Sequence, residues 1–205
     1  MNIDDFVNRL PADSIHRNTI EMAGGAVQRF RQQAADVRQN RKLSAEGHAA
    51  EIRSLGQKLM PFFSELKAQH AKDRKALDDR KAEFVLKPPQ RDDPEAFVRA
   101  VEAWELRTKI DALPMADRIR LALDDSEIAR VIIHGNPILT GIDDTMRARI
   151  VQNELEREFG ADQLKAIRDE ASALDVVDAA LQVSEQQLFA EAGMNQPNDQ
   201  KGNQS

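Results

Sequence analysis

The sequence predicts an all-α fold, and three observations support that prediction. Apolar residues recur every three or four positions along most of the chain, as they do on one face of an amphipathic helix. No stretch shows sustained alternation of apolar and polar residues, and β-branched residues cluster only at residues 131–133. Charged residues make up 31% of the chain and aromatic residues only 4%, which suits helices that each bury a narrow aliphatic stripe. We therefore expect an elongated helical bundle or a set of helical hairpins.

The first forty residues predict helix with one interruption. The Asp13-Ser14 pair can cap a helix that begins at Ile15. The Gly24-Gly25 pair predicts a break or a bend in that helix, because each glycine costs about 1 kcal/mol relative to alanine in a helix interior. Residues 27–42 then predict a polar and basic helix with a narrow apolar face.

A long helix is predicted to follow Ser44, which is a suitable N-cap. Its apolar stripe covers residues 52–66 at helical spacing. Pro61 lies inside the pattern and predicts a kink near Met60, since proline lacks an N–H group and its ring clashes with the preceding turn.

The Pro88-Pro89 pair ends this helical region and predicts a linker. The prolines divide a chain whose charge is uneven. Residues 1–91 contain 17 Lys+Arg and 12 Asp+Glu, whereas residues 92–205 contain 12 and 23. Such an asymmetry can favour head-to-tail contact between copies of the chain, or attract the basic half to an acidic partner. The predicted segments are a basic helical region at 1–87, a linker at 88–92, an acidic helical domain at 93–193 and a disordered tail at 194–205.

Each helix of the acidic domain is predicted from a start or stop signal in the sequence. Capping carboxylates precede most of the helices, and glycines follow the last two. Asp93-Pro94-Glu95 precedes a helix that ends near Leu113, Met115 begins a short helix, and Asp124-Asp125-Ser126 precedes the next helix. Asp143 or Asp144 precedes a helix that runs through Phe159 and stops at Gly160. Asp162 precedes the last helix, which ends near Gly193.

The stretch His134–Gly141, "HGNPILTG", allows two interpretations. His134 beside Asp143 or Asp144 could act as a general base. Alternatively, the stretch is a corner between two helices, in which Gly135 adopts a left-handed C-cap and Gly141 a tight turn. We favour the corner, because every residue in it then has a structural role.

No other residues predict chemistry. The four histidines lie far apart and are expected at the surface, and the absence of cysteine excludes thiolate nucleophiles and cysteine-based zinc sites. Glu154 and Glu158 share one helix face, but their surroundings indicate ordinary solvated surface. The sequence therefore predicts a non-enzymatic protein without catalytic residues, metal or cofactor.

Two sets of residues are candidates for contacts with partners. The apolar stripes of the two longest helices predict self-association or pairing with a partner helix, through Ile52, Leu55, Leu59, Phe62, Leu66, Leu174, Leu181 and Leu188. A basic run opposed only by Asp36 predicts phosphate contacts, through Arg29, Arg31, Arg38, Arg41 and Lys42. No base-reading motif accompanies that run, so we expect nonspecific contact with nucleic acid.

No signal peptide and no membrane-spanning run are visible, so the sequence predicts a protein that is cytoplasmic at synthesis and does not contact a membrane.

Residues 40–59, "NRKLSAEGHAAEIRSLGQKL", and 136–174, with an L-T-G-apolar-acidic corner before two helices, resemble helical proteins of bacteriophages and prophages. The resemblance implies a structural or assembly role, contacts with other virion or assembly proteins, and eventual association with a virion. A nucleic-acid-associated accessory protein that uses the basic N-terminal half is the alternative.

Overall fold

The structure, a computed structural model, describes residues 3–86, 96–135 and 141–195, except for the side chains of residues 96–101 and 103. The described residues form helices joined by turns and contain no β-strand, which confirms the predicted all-α fold. The helices are α1 (Ile3–Val7), α2 (Arg17–Gln39), α3 (Ala45–Lys81), α4 (Ala96–Asp111), α5 (Met115–Asp124), α6 (Ser126–His134), α7 (Asp144–Phe159) and α8 (Ala161–Ala192).

The chain divides into two compact units. Unit 1 consists of the residues up to 79 together with those from 168 onward, and unit 2 consists of residues 80–167. This division does not follow the predicted sequential one, because most of the last helix packs with the first three helices rather than with its neighbours in sequence. The predicted linker at 88–92 lies outside the described residues.

Unit 1 buries one aliphatic and aromatic core between α1, α2, α3 and the C-terminal part of α8. Phe30 and Phe63 are completely buried in it, as is Ile20. Their spacing on α2 and α3 is the predicted helical one, so each helix turns a single stripe inward. Met194, assigned by sequence to the tail, also packs against this core. The predicted tail beyond residue 195 lies outside the described part of the chain.

Helix α2 is continuous through the Gly24-Gly25 pair, so a break there is wrong, and a bend stays a prediction. A Cβ atom on Gly24 would lie 2.8 Å from Cγ2 of Ile3, which shows that glycine is needed there for close packing of α1. The helix also begins at Arg17 instead of Ile15, after an N-cap residue, His16, whose side chain makes no capping hydrogen bond.

Helix α3 begins after Ser44, as predicted, and Ser44 Oγ accepts a hydrogen bond from the Gly47 N–H at 3.1 Å. The helix continues through Pro61 to Lys81, and the kink near Met60 stays a prediction. At Gly56 a Cβ atom would lie 2.7 Å from Cβ of Ala192, so α3 and α8 approach closely at this point.

Unit 2 has a smaller core formed by α5, α6, α7 and the residue that precedes the α7 cap. Two predicted caps are confirmed in it. Asp125 accepts hydrogen bonds from the Glu127 and Ile128 N–H groups at 2.8 and 3.1 Å, and Asp143 accepts one from the Met146 N–H at 2.8 Å. The predicted cap at Asp93 lies outside the described residues. The buried core residues are Ala122, Ala129, Ile132, Ile142 and Ile150.

Glycines end α7 and α8, as the sequence predicts. Gly160 has a φ of 88° and Gly193 a φ of 60°, in the left-handed region that favours glycine. Neither glycine has another atom near the position of a Cβ, so backbone conformation alone accounts for both.

Candidate functional site

Arg31, one of the five basic residues predicted to contact phosphate, is engaged within the chain. Its Nε donates a hydrogen bond to Glu191 Oε1 at 2.7 Å, and its Nη2 donates one to Gln187 Oε1 at 3.2 Å. Both acceptors lie on α8. The guanidinium therefore joins two helices of unit 1, and these bonds occupy two of its five N–H donors.

The other four basic residues are exposed but do not form one strip. Arg29 and Arg38 stand nine positions apart on α2. At about 3.6 residues per turn this separation is about two and a half turns, which places them on opposite sides of the helix. Arg38 lies at the end of α2, close in sequence to Arg41 and Lys42 in the turn before α3. Of the predicted basic run, Arg38, Arg41 and Lys42 therefore form one small basic group at this turn.

The eight apolar residues predicted to contact a partner helix pack within the chain. Five of them are buried, namely Ile52, Leu66, Leu174, Leu181 and Leu188. The others, Leu55, Leu59 and Phe62, are half-buried and pack against the core of unit 1. The helices that cover these stripes come from distant parts of the same chain, so the expectation that a partner covers them is corrected.

Part of the charge asymmetry is balanced inside unit 1. Lys67 pairs with Glu185, and Arg74 Nη1 lies 2.6 Å from Asp175 Oδ1. In each pair the cation is on α3 and the carboxylate is on α8. Arg31 and Glu191 join α2 to α8 in the same way. These side chains are partly exposed, so each pair contributes at most about 1 kcal/mol. Their main effect is to favour one alignment of α8 on the basic helices.

Two histidines are buried in unit 1, although the sequence predicts surface positions. His16 is 7% exposed and His70 is 8% exposed. His70 Nε2 lies 3.8 Å from Asp178 Oδ1. Burial lowers the pKa of His70 and is the largest influence on it; Asp178 and Asp73 oppose the shift, while Arg74 and His16 add to it. A signal for His70 was present in the sequence, because it continues the spacing of Phe63, Leu66 and Leu77 on the inner face of α3.

Unit 2 contains a cleft of about 170 Å³. Its walls combine apolar side chains with one arginine, one histidine and two carboxylates. The Phe159 ring packs edge-on against Phe84, with the ring centroids 5.0 Å apart. The lining residues are Glu83, Val85, Leu86, Arg130, His134, Glu158 and Phe159.

His134 lies in the last turn of α6, as the corner interpretation predicts, and also lines this cleft. Its pKa is lowered first by burial and then by the positive charges of Arg130 and Arg147. A neutral imidazole is therefore favoured at neutral pH. Glu158 and Arg130 line the same cleft, and they pair with each other at 3.3 Å.

The corner itself differs from the prediction at Gly135. This residue has a φ of −75° and a ψ of 162°, so it is extended and not left-handed. Helix α6 ends differently because the Arg147 Nη2 group donates hydrogen bonds to the carbonyl oxygens of Ile133 and, at 2.9 Å, of Gly135. A side chain thus satisfies the Ile133 carbonyl, one of the last carbonyls of the helix, which have no partner within it. Glycine is still required, since a Cβ atom at Gly135 would lie 2.7 Å from the Val131 oxygen.

Gly141, at the other end of the stretch, has a φ of 64°, as the predicted tight turn requires. Residues 136–140, between the two glycines, lie outside the described part of the chain.

Glu154 is only 1% exposed, so its predicted place on the solvated surface of α7 is wrong. Its Oε1 accepts hydrogen bonds from Ser126 Oγ and from Arg130 Nε, the latter at 3.3 Å. Arg157 Nη1 lies 3.6 Å from its other oxygen. The sequence does not reveal this network, because its members come from two helices. Their proximity depends on how α6 packs on α7.

Several large apolar side chains are exposed. Trp104, the only tryptophan of the chain, is 66% exposed on α4. In unit 1, Ile15 and Met22 are 82% and 40% exposed. Val85 and Met115 are exposed in unit 2. Exposed aliphatic residues are common on protein surfaces, but tryptophan is usually covered and is enriched in protein–protein interfaces.

Among the described residues, no cluster of three or more His, Asp or Glu is arranged to hold a metal ion. None of the described helices is long and apolar enough to cross a membrane. Comparisons with protein families, curated proteins and solved structures gave no significant match.

Proposed function

We propose that the protein is a non-enzymatic α-helical structural or assembly protein that acts through protein–protein contacts. We further propose that it serves a bacteriophage or prophage particle and binds other virion or assembly proteins. The resemblance of residues 40–59 and 136–174 to helical phage proteins supports the second part.

The exposure of Trp104 is the observation that supports the first part. An indole ring carries a large apolar surface, and burying such a surface contributes about 25 cal/mol per Å². Tryptophan is also among the residues that dominate the binding energy of interfaces. Among the described side chains of unit 2, Trp104 is the largest one left exposed to solvent, and we assign it to the contact with a partner.

The test is incorporation into particles. Tagged protein would be produced in the phage-bearing host, and nuclease-treated particles would be isolated by density-gradient sedimentation. We expect the parent protein to sediment with particles and Trp104→Ser to be lost from them, with both proteins melting at the same temperature. Ile15→Ser is the matched control, because it removes an exposed apolar side chain from the other unit and should leave incorporation intact. Absence of the parent protein from particles, or equal incorporation of Trp104→Ser, contradicts the proposal.

A nucleic-acid-associated accessory role is the second candidate, supported by the exposed basic group of Arg38, Arg41 and Lys42. Such binding would weaken with salt, because neutralised phosphates release counterions. Retention on nonspecific DNA at low salt, lost in the triple variant Arg38→Ala, Arg41→Ala, Lys42→Ala, would favour this role. Retention by the triple variant equal to that of the parent, or no retention of either, contradicts it.

A further inference from the structure

Two arginines of unit 2 lie against the residue that follows α6. Arg147 on α7 donates hydrogen bonds through Nη2 to the carbonyl oxygens of Ile133 and Gly135, the latter at 2.9 Å. Arg107 on α4 approaches the same glycine, because a Cβ atom at Gly135 would lie 3.0 Å from Arg107 Nη2 and 3.5 Å from its Cζ. Gly135 itself is buried. Two guanidinium groups from different helices are therefore held beside one buried residue.

Each of these guanidinium groups has an N–H donor without an acceptor among the described residues. The nitrogens are Arg107 Nε and Arg147 Nη1, and both are buried. A buried donor that makes no hydrogen bond is costly, more so when it is charged, and such groups are rare in folded proteins. An acceptor supplied from outside the chain would remove that cost.

The positive charges of the two arginines are not balanced by carboxylates. Neither side chain forms an ion pair within the described part of unit 2. Such pairs are formed in this unit by Arg118, Arg120, Arg130 and Arg157. The C-terminus of α6 carries only about half a negative charge, against two positive charges on the guanidinium groups. The local charge is therefore positive and favours an anion.

His134 precedes Gly135 and responds to this charge. Burial lowers the pKa of its imidazole most, and the positive charges of Arg130 and Arg147 lower it further. An anion bound beside Arg147 would offset one of those charges and raise the pKa again, because a negative charge favours the protonated ring. The imidazole of His134 is therefore a reporter of anion binding at this place.

We propose that Arg107 and Arg147 form a binding site for an oxyanion, and that the ligand is a phosphate group. A planar guanidinium donates hydrogen bonds to two oxygens of a carboxylate or phosphate at once. A phosphate group carries about −1.5 to −2 charges at pH 7, which matches two arginines better than the single charge of a carboxylate. Both side chains are half-buried, so a small anion can approach them from solvent. The site is independent of the proposed function and stands if that function is disproved.

Nuclear magnetic resonance titration of the full chain with inorganic phosphate tests the site, with sodium chloride added to keep the ionic strength constant. We expect the Nε–Hε signal of Arg107 to shift and saturate, and the pKa of His134 to rise at saturating phosphate. Acetate, a carboxylate, should bind more weakly than phosphate. Absence of a saturable shift at Arg107, or binding of acetate at least as tight as that of phosphate, would overturn the proposal.

Glycerol 3-phosphate, used as a second probe, separates two sources of the phosphate group. Tighter binding than inorganic phosphate would support the site and assign it to a phosphate ester, whereas weaker binding would support it and assign it to the free ion. A saturable shift that leaves the pKa of His134 unchanged with both probes contradicts a location beside Gly135.

Substitutions test the assignment to the two arginines. Arg107→Gln should weaken phosphate binding about tenfold or more, because it removes a charged hydrogen-bond donor. Arg120→Gln is the matched control and should leave the affinity unchanged, since Arg120 is an exposed arginine of the same unit that pairs with Asp117 at 3.4 Å. If Arg147→Gln fails to fold because its bonds to α6 are lost, Arg107→Gln still decides the matter. Parental affinity in Arg107→Gln, or an equal loss in Arg120→Gln, overturns the site.

Discussion

Arg31 on α2 and Glu191 on α8 form an ion pair at 2.7 Å across a sequence separation of 160 residues. This pair joins the basic N-terminal part of the chain to its acidic C-terminal part. Lys67 with Glu185 and Arg74 with Asp175 repeat the pattern between α3 and α8. The opposite charges of the two halves therefore help to align helices inside one unit, whatever they contribute to contacts with other molecules.

A double-mutant cycle on Arg31→Ala and Glu191→Gln should give a small coupling energy. We expect about 0.2–1 kcal/mol at low ionic strength, because both side chains are partly exposed. The coupling should decrease in 1 M salt, where charges are screened over about 3 Å. Chemical denaturation with urea, which adds no charge, is the appropriate measurement. Arg29→Ala, paired with the same Glu191→Gln, should show no coupling; equal coupling in both cycles would mean that the ion pair is not the cause.

Leu181→Ala should destabilise the protein by about 2–5 kcal/mol, because a completely buried leucine leaves a cavity when it is truncated. Leu59→Ala, at a half-buried position of the same core, should cost less. Both effects would appear as shifts of the urea midpoint. Neither substitution should change the association state seen by light scattering over a wide concentration range. A change in association with little loss of stability would restore the view that these residues contact a partner helix.

Gly135→Ala should lower the melting temperature, because the added Cβ would lie 2.7 Å from the Val131 carbonyl oxygen at the end of α6. Gly160→Ala is the comparison, since nothing lies near its Cβ and only the backbone conformation, with a φ of 88° and a ψ of 137°, opposes the change, at a cost of about 1–3 kcal/mol. His134→Gln should leave the melting temperature at pH 7.5 nearly unchanged. If His134→Gln melts like the parent but abolishes particle incorporation, the corner is a functional site after all.

Glu154→Leu should destabilise unit 2, because it leaves the Ser126 hydroxyl and the Arg130 guanidinium without their shared acceptor. We expect a loss of about 1–3 kcal/mol, the usual cost of an unsatisfied partly buried polar group. Glu158→Leu is the control on the same face, since Glu158 is exposed and should cost less than about 1 kcal/mol. Equal losses in the two variants, measured by denaturation at pH 7.5, would show that burial of Glu154 does not matter.

Much of the fold follows from local features of the sequence. The caps at Ser44, Asp125 and Asp143 and the stops at Gly160 and Gly193 are where the sequence predicts them. These signals work within one turn of helix, since a side-chain oxygen bonds the nearest free N–H groups and glycine adopts a positive φ at little cost. The inward stripes of α2, α3 and α8 are equally local, because helical periodicity alone places their apolar residues on one face.

The pairing of those faces is a property of the tertiary structure. The sequence shows that the apolar stripes of α3 and α8 must be buried against another apolar surface. It does not show whether that surface belongs to a partner chain or to other helices of the same chain. Gly24 by itself predicts a break or a bend, and the sequence does not reveal that this glycine serves close packing, because its contact Ile3 lies on another helix. His16, His70 and Glu154 were expected in water for the same reason: whether a polar side chain is buried depends on what packs over it. The sequence by itself thus determined which segments are helical, several of the caps and stops that bound them, and which face of the long helices is apolar. Only the tertiary structure decided which faces meet and which charges lie between them, because helix signals act over a few residues while burial depends on contacts between distant ones.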